Sequence, residues 1–520
     1  MSGQPSEVQE GHASESAPFF IEPADLSDFR RAIAEIVRAG YSEIPVRNRL
    51  GLADLTELRW KAVPIYRDER LVGRDALAVA IELFLLQASV PETDIEPLLS
   101  AGSVAVLLKT GILSIHRAGF VQARASLFPV GQRLIFSDHA WHKLPNPGYA
   151  VAPSDQVMFV GNDSRWLARA TTRRHVRSSL DLCTGSGIHA ILAAPHSQHV
   201  FAVDINPRAV RCARFNAQVS SADNVEVVAG DLFEPVGSGR FDLITANPPF
   251  VPSPADELMF RDGGRSGEAI QQRIVAGLPR HLAPGGIAQM VTELGEREDE
   301  PIVQRVRQWL DGAPMDIHIL RLRTYSASYY AIGHANSDGG YGPYLESVRA
   351  WAGNLRAHGY ARIVSVLMAF EWSDPAAGPP WDRVEESQPP RREAGNEVEA
   401  VFSRERAARR RNRGGTLEGG WVRLNGAVAL TESRVIGAQM RGGVRATLLG
   451  QAFTVEHELN AVEVYLVRRL EKPAAVSELL TAANGSASDE NAILAAIDSL
   501  QRHGLVHVME IAQGSREGPS

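Results

Sequence analysis

The stretch from Ser179 to Phe250 limits what this chain can fold into more than any other. It reads SSLDLCTGSGIHAILAA, VFAVDINPRAVRCARFNA, NVEVVAGDLFEP and FDLITANPPF in turn. Each block carries an apolar, β-branched run ending in a small or acidic residue, and helical material follows the first two. That alternation predicts parallel strands joined by crossover helices. The first strand, Ser179–Leu182, runs into Gly185-Ser186-Gly187. Glycines there suit a turn whose backbone must approach a ligand, and the helix that follows begins with free N–H groups. The second strand, Val200–Val203, ends in Asp204. A carboxylate about 20 residues past the glycines can hydrogen-bond a ribose diol. This much describes a nucleoside-binding half-sheet, a pattern shared by many doubly wound folds.

The fourth block narrows the reading. Asn247-Pro248-Pro249-Phe250 follows FDLITA, so it lies at the carboxyl end of a buried strand, where open α/β sheets bind ligands. The prolines fix the local backbone and donate no hydrogen bond. The Asn247 side-chain oxygen and the Pro248 carbonyl can therefore accept two hydrogen bonds from one planar NH2 group, with Phe250 offering a flat face beside it. Such a nitrogen is a poor nucleophile. Holding its protons while its lone pair faces a methyl donor would supply positioning and electrostatic stabilisation.

The blocks DLCTGSG, VFAVDINPRAV, GDLF and NPPF resemble those of class I S-adenosylmethionine-dependent methyltransferases, in the small-domain group that includes the release-factor glutamine methyltransferases and several RNA and adenine N6-methyltransferases. Arg261–Gly286 (RDGGRSGEAIQQRIVAGLPRHLAPGG) resembles the segment after NPPY in the glutamine enzymes, and Gly161–Ala170 (GNDSRWLARA) resembles the G-x-D-S/T-x-x-L-A segment that packs over the cofactor. The likeness covers Val151 to Trp372. It implies a Rossmann-like, seven-stranded methyltransferase sheet with S-adenosyl-L-methionine as cofactor. Asp181 and the Gly185/Gly187 turn would meet its methionine portion, Asp204 the ribose hydroxyls, and Asp231 with Leu232 the adenine. Asn247, Pro248, Pro249 and Phe250 would bind the substrate nitrogen, with Asn247 and Pro248 as the catalytic acceptors. Two departures stand out: Cys183 replaces a glycine common in the first motif, and Phe250 replaces the tyrosine usual in the glutamine enzymes. The substrate therefore stays open between a protein glutamine, an exocyclic base nitrogen in nucleic acid and a small molecule, with an idle cofactor-binding regulator as a further alternative.

The 520 residues carry a formal charge of −7 and only two cysteines, Cys183 and Cys212. This gives no global pull toward nucleic acid and no disulfide framework. There is no Cys/His metal spacing, so no metal site is expected. The sequence has no secretory signal and no long apolar span, which predicts a cytoplasmic protein without membrane contact. Residues 1–18 read as a disordered tail. Residues 19–150 read as an N-terminal α+β accessory domain: helices first, then three short strands over Ser103–Asp138. Residues 151–372 form the methyltransferase domain, with an insertion (Thr324–Tyr360) whose Tyr325, Tyr329 and Tyr330 either line a substrate entrance or pack onto the sheet. Residues 373–420 read as a Pro/Arg-rich linker, in which Arg404–Arg413 can meet phosphates. Residues 421–520 read as a C-terminal module resembling a winged helix, whose acidic third helix suits a protein contact or packing better than DNA.

Overall fold

The computed structural model describes residues 19–140, 155–255, 258–336, 340–411, 420–432, 443–453, 456–482 and 487–509. The chain divides into two compact units. The first takes the described residues up to Gly161 together with Thr184–Ile191 and Asp204–Ala229, and the second takes the remainder.

In the first unit an amphipathic helix, Leu26–Arg38, buries Phe29, Ala32 and Ile36. Phe29 joins Phe19, Phe136 and Phe215 in a cluster of edge-on and tilted rings. Phe215 sits on the helix Pro207–Val219, so a helix expected in the methyltransferase domain shares a core with the N-terminal segment. The boundary expected at 150/151 is thus not the division the structure makes. Within Ser103–Asp138, the residues SVAVLLK belong to a helix, Ala101–Lys109, rather than a strand. Its N-cap Ser100 accepts a hydrogen bond from the Ser103 amide, which satisfies a donor that the helix start otherwise leaves open. Four strands follow, Leu113–Arg117, Phe120–Ala123, Ser126–Val130 and Arg133–Ser137.

The second unit is built on a large mixed sheet of Rossmann-like type. Among the described residues the sheet has eight strands rather than the expected seven; those in this unit are β1 (Val176–Leu182), β2 (Ser197–Asp204), β3 (Phe241–Ala246), β4 (Leu282–Glu296), β5 (Met315–Ser326), β6 (Arg362–Trp372) and β7 (Asp382–Glu386), in the order β7-β5-β6-β4-β3-β1-β2. β1 pairs in parallel with β2 and β3, and β3 in parallel with β4. β6 runs antiparallel to both β4 and β5. Leu180, Leu182, Ile244 and Ala246 are almost wholly buried in its core. This explains why the strands read as near-continuous apolar runs.

The segment expected as a linker is structured over most of its length. β7 pairs in parallel with β5, and α6 (Gly395–Arg411) buries Val398, Val401 and Phe402 in a cluster with Leu320, Leu367 and Trp381. The spacing of those three apolar residues gives one helical face; the polar residues around it gave the segment the look of a linker. Beyond it, a three-stranded sheet (Ala474–Ala475, Trp421–Leu424, Val506–Met509) accompanies helices Ala461–Arg469, Val476–Thr481 and Ala487–Arg502. The residues HEL before the first of these form a strand, Glu456–Leu459, because Asn460 caps the helix in a full capping box with Glu463. The expected tail at 1–18 lies outside the described residues.

Candidate functional site

Strand register assembles the second unit's share of the site. Leu182 pairs with Ala246, so Cys183 and Asn247 leave the sheet side by side at strand carboxyl ends. One residue earlier, Thr245 Oγ donates to Asp181 Oδ1 at 2.8 Å, and Asp181 is only 1% exposed. Asp181 is thus held within the buried sheet by its neighbour on β3. Cys183 adopts φ +55°, the left-handed conformation that glycine enters without strain. Asp231 is partly exposed and ion-paired with Arg273 at 2.8 Å. Leu232 beside it is buried and also left-handed, at φ +50°.

Asn247 is partly exposed, and both donors of its amide are used. Nδ2 donates to Asp163 Oδ2 at 2.9 Å and to Ser164 Oγ at 3.1 Å. A carboxylate accepts and does not donate when ionised, so this pairing fixes which end of the amide is nitrogen. The oxygen is left as the outward-facing acceptor. Asp163 and Ser164 lie at the start of α1 (Asn162–Ala170), more than 80 residues earlier in the chain. Burial pushes the Asp163 carboxyl up, against the hydrogen bond from Asn247. Glu293 on β4 is raised likewise by burial, despite bonds from the Tyr330 hydroxyl (2.7 Å) and Ser365 hydroxyl (3.0 Å), and the Asp163 charge adds to the shift.

The proline corner is clamped by the segment that follows it. The Phe250 and Val251 amides donate to the Arg261 carbonyl at 3.2 and 3.0 Å, and the Gly263 amide returns a bond to the Val251 carbonyl at 3.0 Å. A Cβ on Gly263 would come within 2.8 Å of the Pro249 carbonyl oxygen. One on Gly267, at φ +73°, would lie 2.5 Å from the Phe250 carbonyl oxygen. The DGG…G pattern is therefore a close-approach requirement. Phe250 packs against a cluster containing Val251, Tyr330 and Trp351. The three tyrosines of the insertion divide. Tyr330 is buried, whereas Tyr329 is 66% exposed and lies parallel to Tyr325 at 6.2 Å.

The first unit carries the glycine turn and the acid of the second strand. Asp204 Oδ2 accepts from the Gly185 amide at 2.8 Å, and Oδ1 from the Asn206 amide at 2.9 Å. Burial raises the Asp204 carboxyl in spite of these bonds. A carboxylate has about four acceptor sites, so capacity for another donor remains. Gly185 has φ +53°, and a Cβ there would meet nothing within 4 Å, so that face of the turn is open. A Cβ on Gly187 would press on Ala213 at 3.1 Å, which ties the turn to the helix Pro207–Val219. An open glycine turn carrying a carboxylate with spare acceptor capacity fits a ligand with vicinal hydroxyls.

Asp163, Ser164 and Glu293 were not singled out from the sequence. The D-S pair was visible in GNDSRWLARA, but its bond to Asn247 is a long-range contact. The arginines of α6 serve their own unit: Arg406 pairs with Glu371, Arg409 with Glu405 and Arg410 with Asp374. The Arg411 side chain and Asn412–Arg413 lie outside the described residues. Among the described residues no group of His, Cys, Asp and Glu could hold a metal ion, and no helix is long and apolar enough to cross a membrane.

Residues 160–308 match the model of the methyltransferase small domain, and residues 38–125 match a domain of unknown function (DUF7059). The chain is 39% identical over 152 residues to the ribosomal protein uL3 glutamine methyltransferase of Bradyrhizobium diazoefficiens, covering 26% of this chain and 47% of the relative. It is 34% identical over 166 residues to the release factor glutamine methyltransferase of Geobacter sulfurreducens, covering 29% and 57%. It thus spans about half the length of these two relatives. It is also 32% identical over 235 residues to the ribosomal protein L11 methyltransferase of Dechloromonas aromatica, covering 42% of this chain and 71% of that one. With the NPPF corner, the glycine turn and this coverage together, the chain belongs to the methyltransferase small-domain family of class I S-adenosylmethionine-dependent methyltransferases.

Proposed function

We propose that this protein transfers a methyl group from S-adenosylmethionine to a planar NH2 group, the side-chain amide of a protein glutamine. The observation that carries the reading is the Asn247 amide, whose two donors are spent on Asp163 and Ser164. Its oxygen is thereby held ready to accept. That oxygen and the Pro248 carbonyl would take the two N–H bonds of the substrate amide, and Phe250 would lie against its plane. Fixing the nitrogen in this way needs no reorganisation at the moment of transfer. When bound, the cofactor supplies an electrophilic methyl group on a sulfonium. Asp204 would hold its ribose hydroxyls, Asp231 and Leu232 its adenine, and the Gly185/Gly187 turn its methionine end. Asp181, with Thr245 donating to one of its oxygens, would meet the methionine end as well.

A glutamine is favoured by the uL3 and release-factor relatives and by the DGG clamp. The arginine-rich segment gives weak support to a nucleic acid, because Arg406, Arg409 and Arg410 already face acids of their own unit. A cytoplasmic protein substrate, such as a component of the translation apparatus, fits this reading best. The test separates binding from turnover. Asn247→Ala should leave the cofactor dissociation constant nearly unchanged in titration calorimetry while removing most methyl transfer. Equal loss of both would remove Asn247 from the role given to it.

A further inference from the structure

Residues of β5 and β7, of α6 and of the C-terminal module line a cavity of about 60 Å³. Its polar walls include Arg383, Glu385, Glu397, Arg404, Asn425 and His503. Both acids are already satisfied. Glu385 Oε2 bonds His318 Nε2 at 2.8 Å and its Oε1 accepts from Arg383 Nη2 at 2.6 Å. Arg383 Nη1 donates in turn to the Arg502 carbonyl at 2.7 Å. Glu397 accepts from the Ala452 and Phe453 amides at 2.7 and 3.1 Å.

Arg404 is the remainder in this accounting. Its Nε is buried and has no hydrogen-bond partner among the described residues. No acid among the described residues forms an ion pair with its guanidinium, whose tip rests against Gly504. A Cβ on Gly504 would stand 3.0 Å from Arg404 Cζ, and Gly504 itself sits at φ +74°, so the glycine makes room for the arginine. Burial, with Arg383 close by, lowers Arg404 to about 10. His503 is held down to about 4 by burial, Arg383 and His457. Glu385 and Glu397 on the same wall pull Arg404 the other way, so burial is the main cause of its lowered value. A buried guanidinium nitrogen without an acceptor is costly, and an anion that supplied one to Nε would relieve that cost.

We infer that this cavity binds one small oxyanion, a phosphate or a carboxylate, with Arg404 as its principal donor. The planar fork of arginine matches both groups bidentately. The volume leaves room for a group of this size. The site joins the edge of the catalytic sheet to the C-terminal module, and it is independent of the residues assigned to methyl transfer.

The test is calorimetric titration of the full chain with inorganic phosphate, with acetate and with chloride as a control. Saturable binding of phosphate or acetate but not chloride supports the site, and the tighter of the two names its class. Arg404→Gln should weaken that binding by about tenfold or more. Gln451→Glu, which adds a negative charge at an exposed position on the wall, should weaken it without removing a buried contact. This second variant keeps the test open if Arg404→Gln does not fold. Cofactor binding should be unchanged in both variants, which separates this site from the methyl-transfer reading. No saturable binding of either oxyanion to the native protein overturns the inference, as does undiminished binding in Gln451→Glu together with any folded Arg404→Gln.

Discussion

Replacing Asp163 by alanine isolates the device that aims Asn247. The amide is held by one bond to a carboxylate at 2.9 Å and one to a hydroxyl at 3.1 Å. A hydrogen bond to a charged group contributes about 1.5–3 kcal/mol net. The Ser164 hydroxyl that remains can donate or accept, so it serves either orientation of the amide equally well. Losing Asp163 therefore removes about 2 kcal/mol of preference for the oxygen-outward state, or roughly 30-fold in kcat. Asp163→Asn keeps an acceptor without the charge and should lose less, about fivefold. The readouts are kcat for labelled methyl transfer at saturating cofactor and the cofactor dissociation constant by calorimetry. The first should fall and the second should hold. The pH profile adds an independent signature. The Asp163 carboxyl is raised by burial, so native activity should decline as pH falls through that raised value, and Asp163→Asn should lack the decline. Full turnover in Asp163→Ala, or a matching loss of cofactor affinity, would refute the reasoning.

Cys183→Gly should stabilise the protein. A non-glycine residue at φ +55° costs about 1–2 kcal/mol, of which the extra chain entropy of glycine gives back about 0.5–1 kcal/mol. Urea unfolding should show a net gain of about 0.5–1 kcal/mol, and a destabilised variant would contradict the strain argument. The C-terminal part of the second unit should be acid-labile. Burial opposes it, yet bonds from His318 and Arg383 hold Glu385 at about 2, and bonds from His457 and the Asn460 amide hold Glu463 at about 2, both against the ordinary glutamate value of 4.5. A depressed folded value stabilises above pH 4.5, and that contribution is lost as pH falls from 4.5 through about 2. Hydrogen exchange over Asp382–Glu386 should accelerate across that window. Glu385→Gln should flatten the response, and an unchanged acid profile in that variant would count against the assignment.

The site's strand ends were legible in the sequence because each ends an apolar run with a turn or an acid. What joins them was not. Asp163 meets Asn247 across 84 positions, and no local pattern announces a hydrogen bond of that range. Nor did the sequence show that Thr245, the neighbour of Asp181 across the register, donates to its carboxylate from within the buried sheet. The 373–420 segment was misread for a related reason. β7 is an edge strand of alternating exposure with the sequence DRVEE, and an edge strand carrying charge looks like loop until its partner is known. The apolar face of α6 was masked by arginines whose acids lie on other elements, such as Glu371 on β6 and Asp374 just beyond it.

The most direct test of the account is to locate the transferred methyl group. The native protein should be incubated with methyl-labelled S-adenosylmethionine and extract, and the labelled material followed by protease and nuclease sensitivity and then by peptide mass spectrometry. The account predicts protease-sensitive label, resolved to the side-chain nitrogen of a glutamine and absent with Asn247→Ala. Label in nuclease-sensitive material, or on a residue without a planar NH2 group, would contradict it.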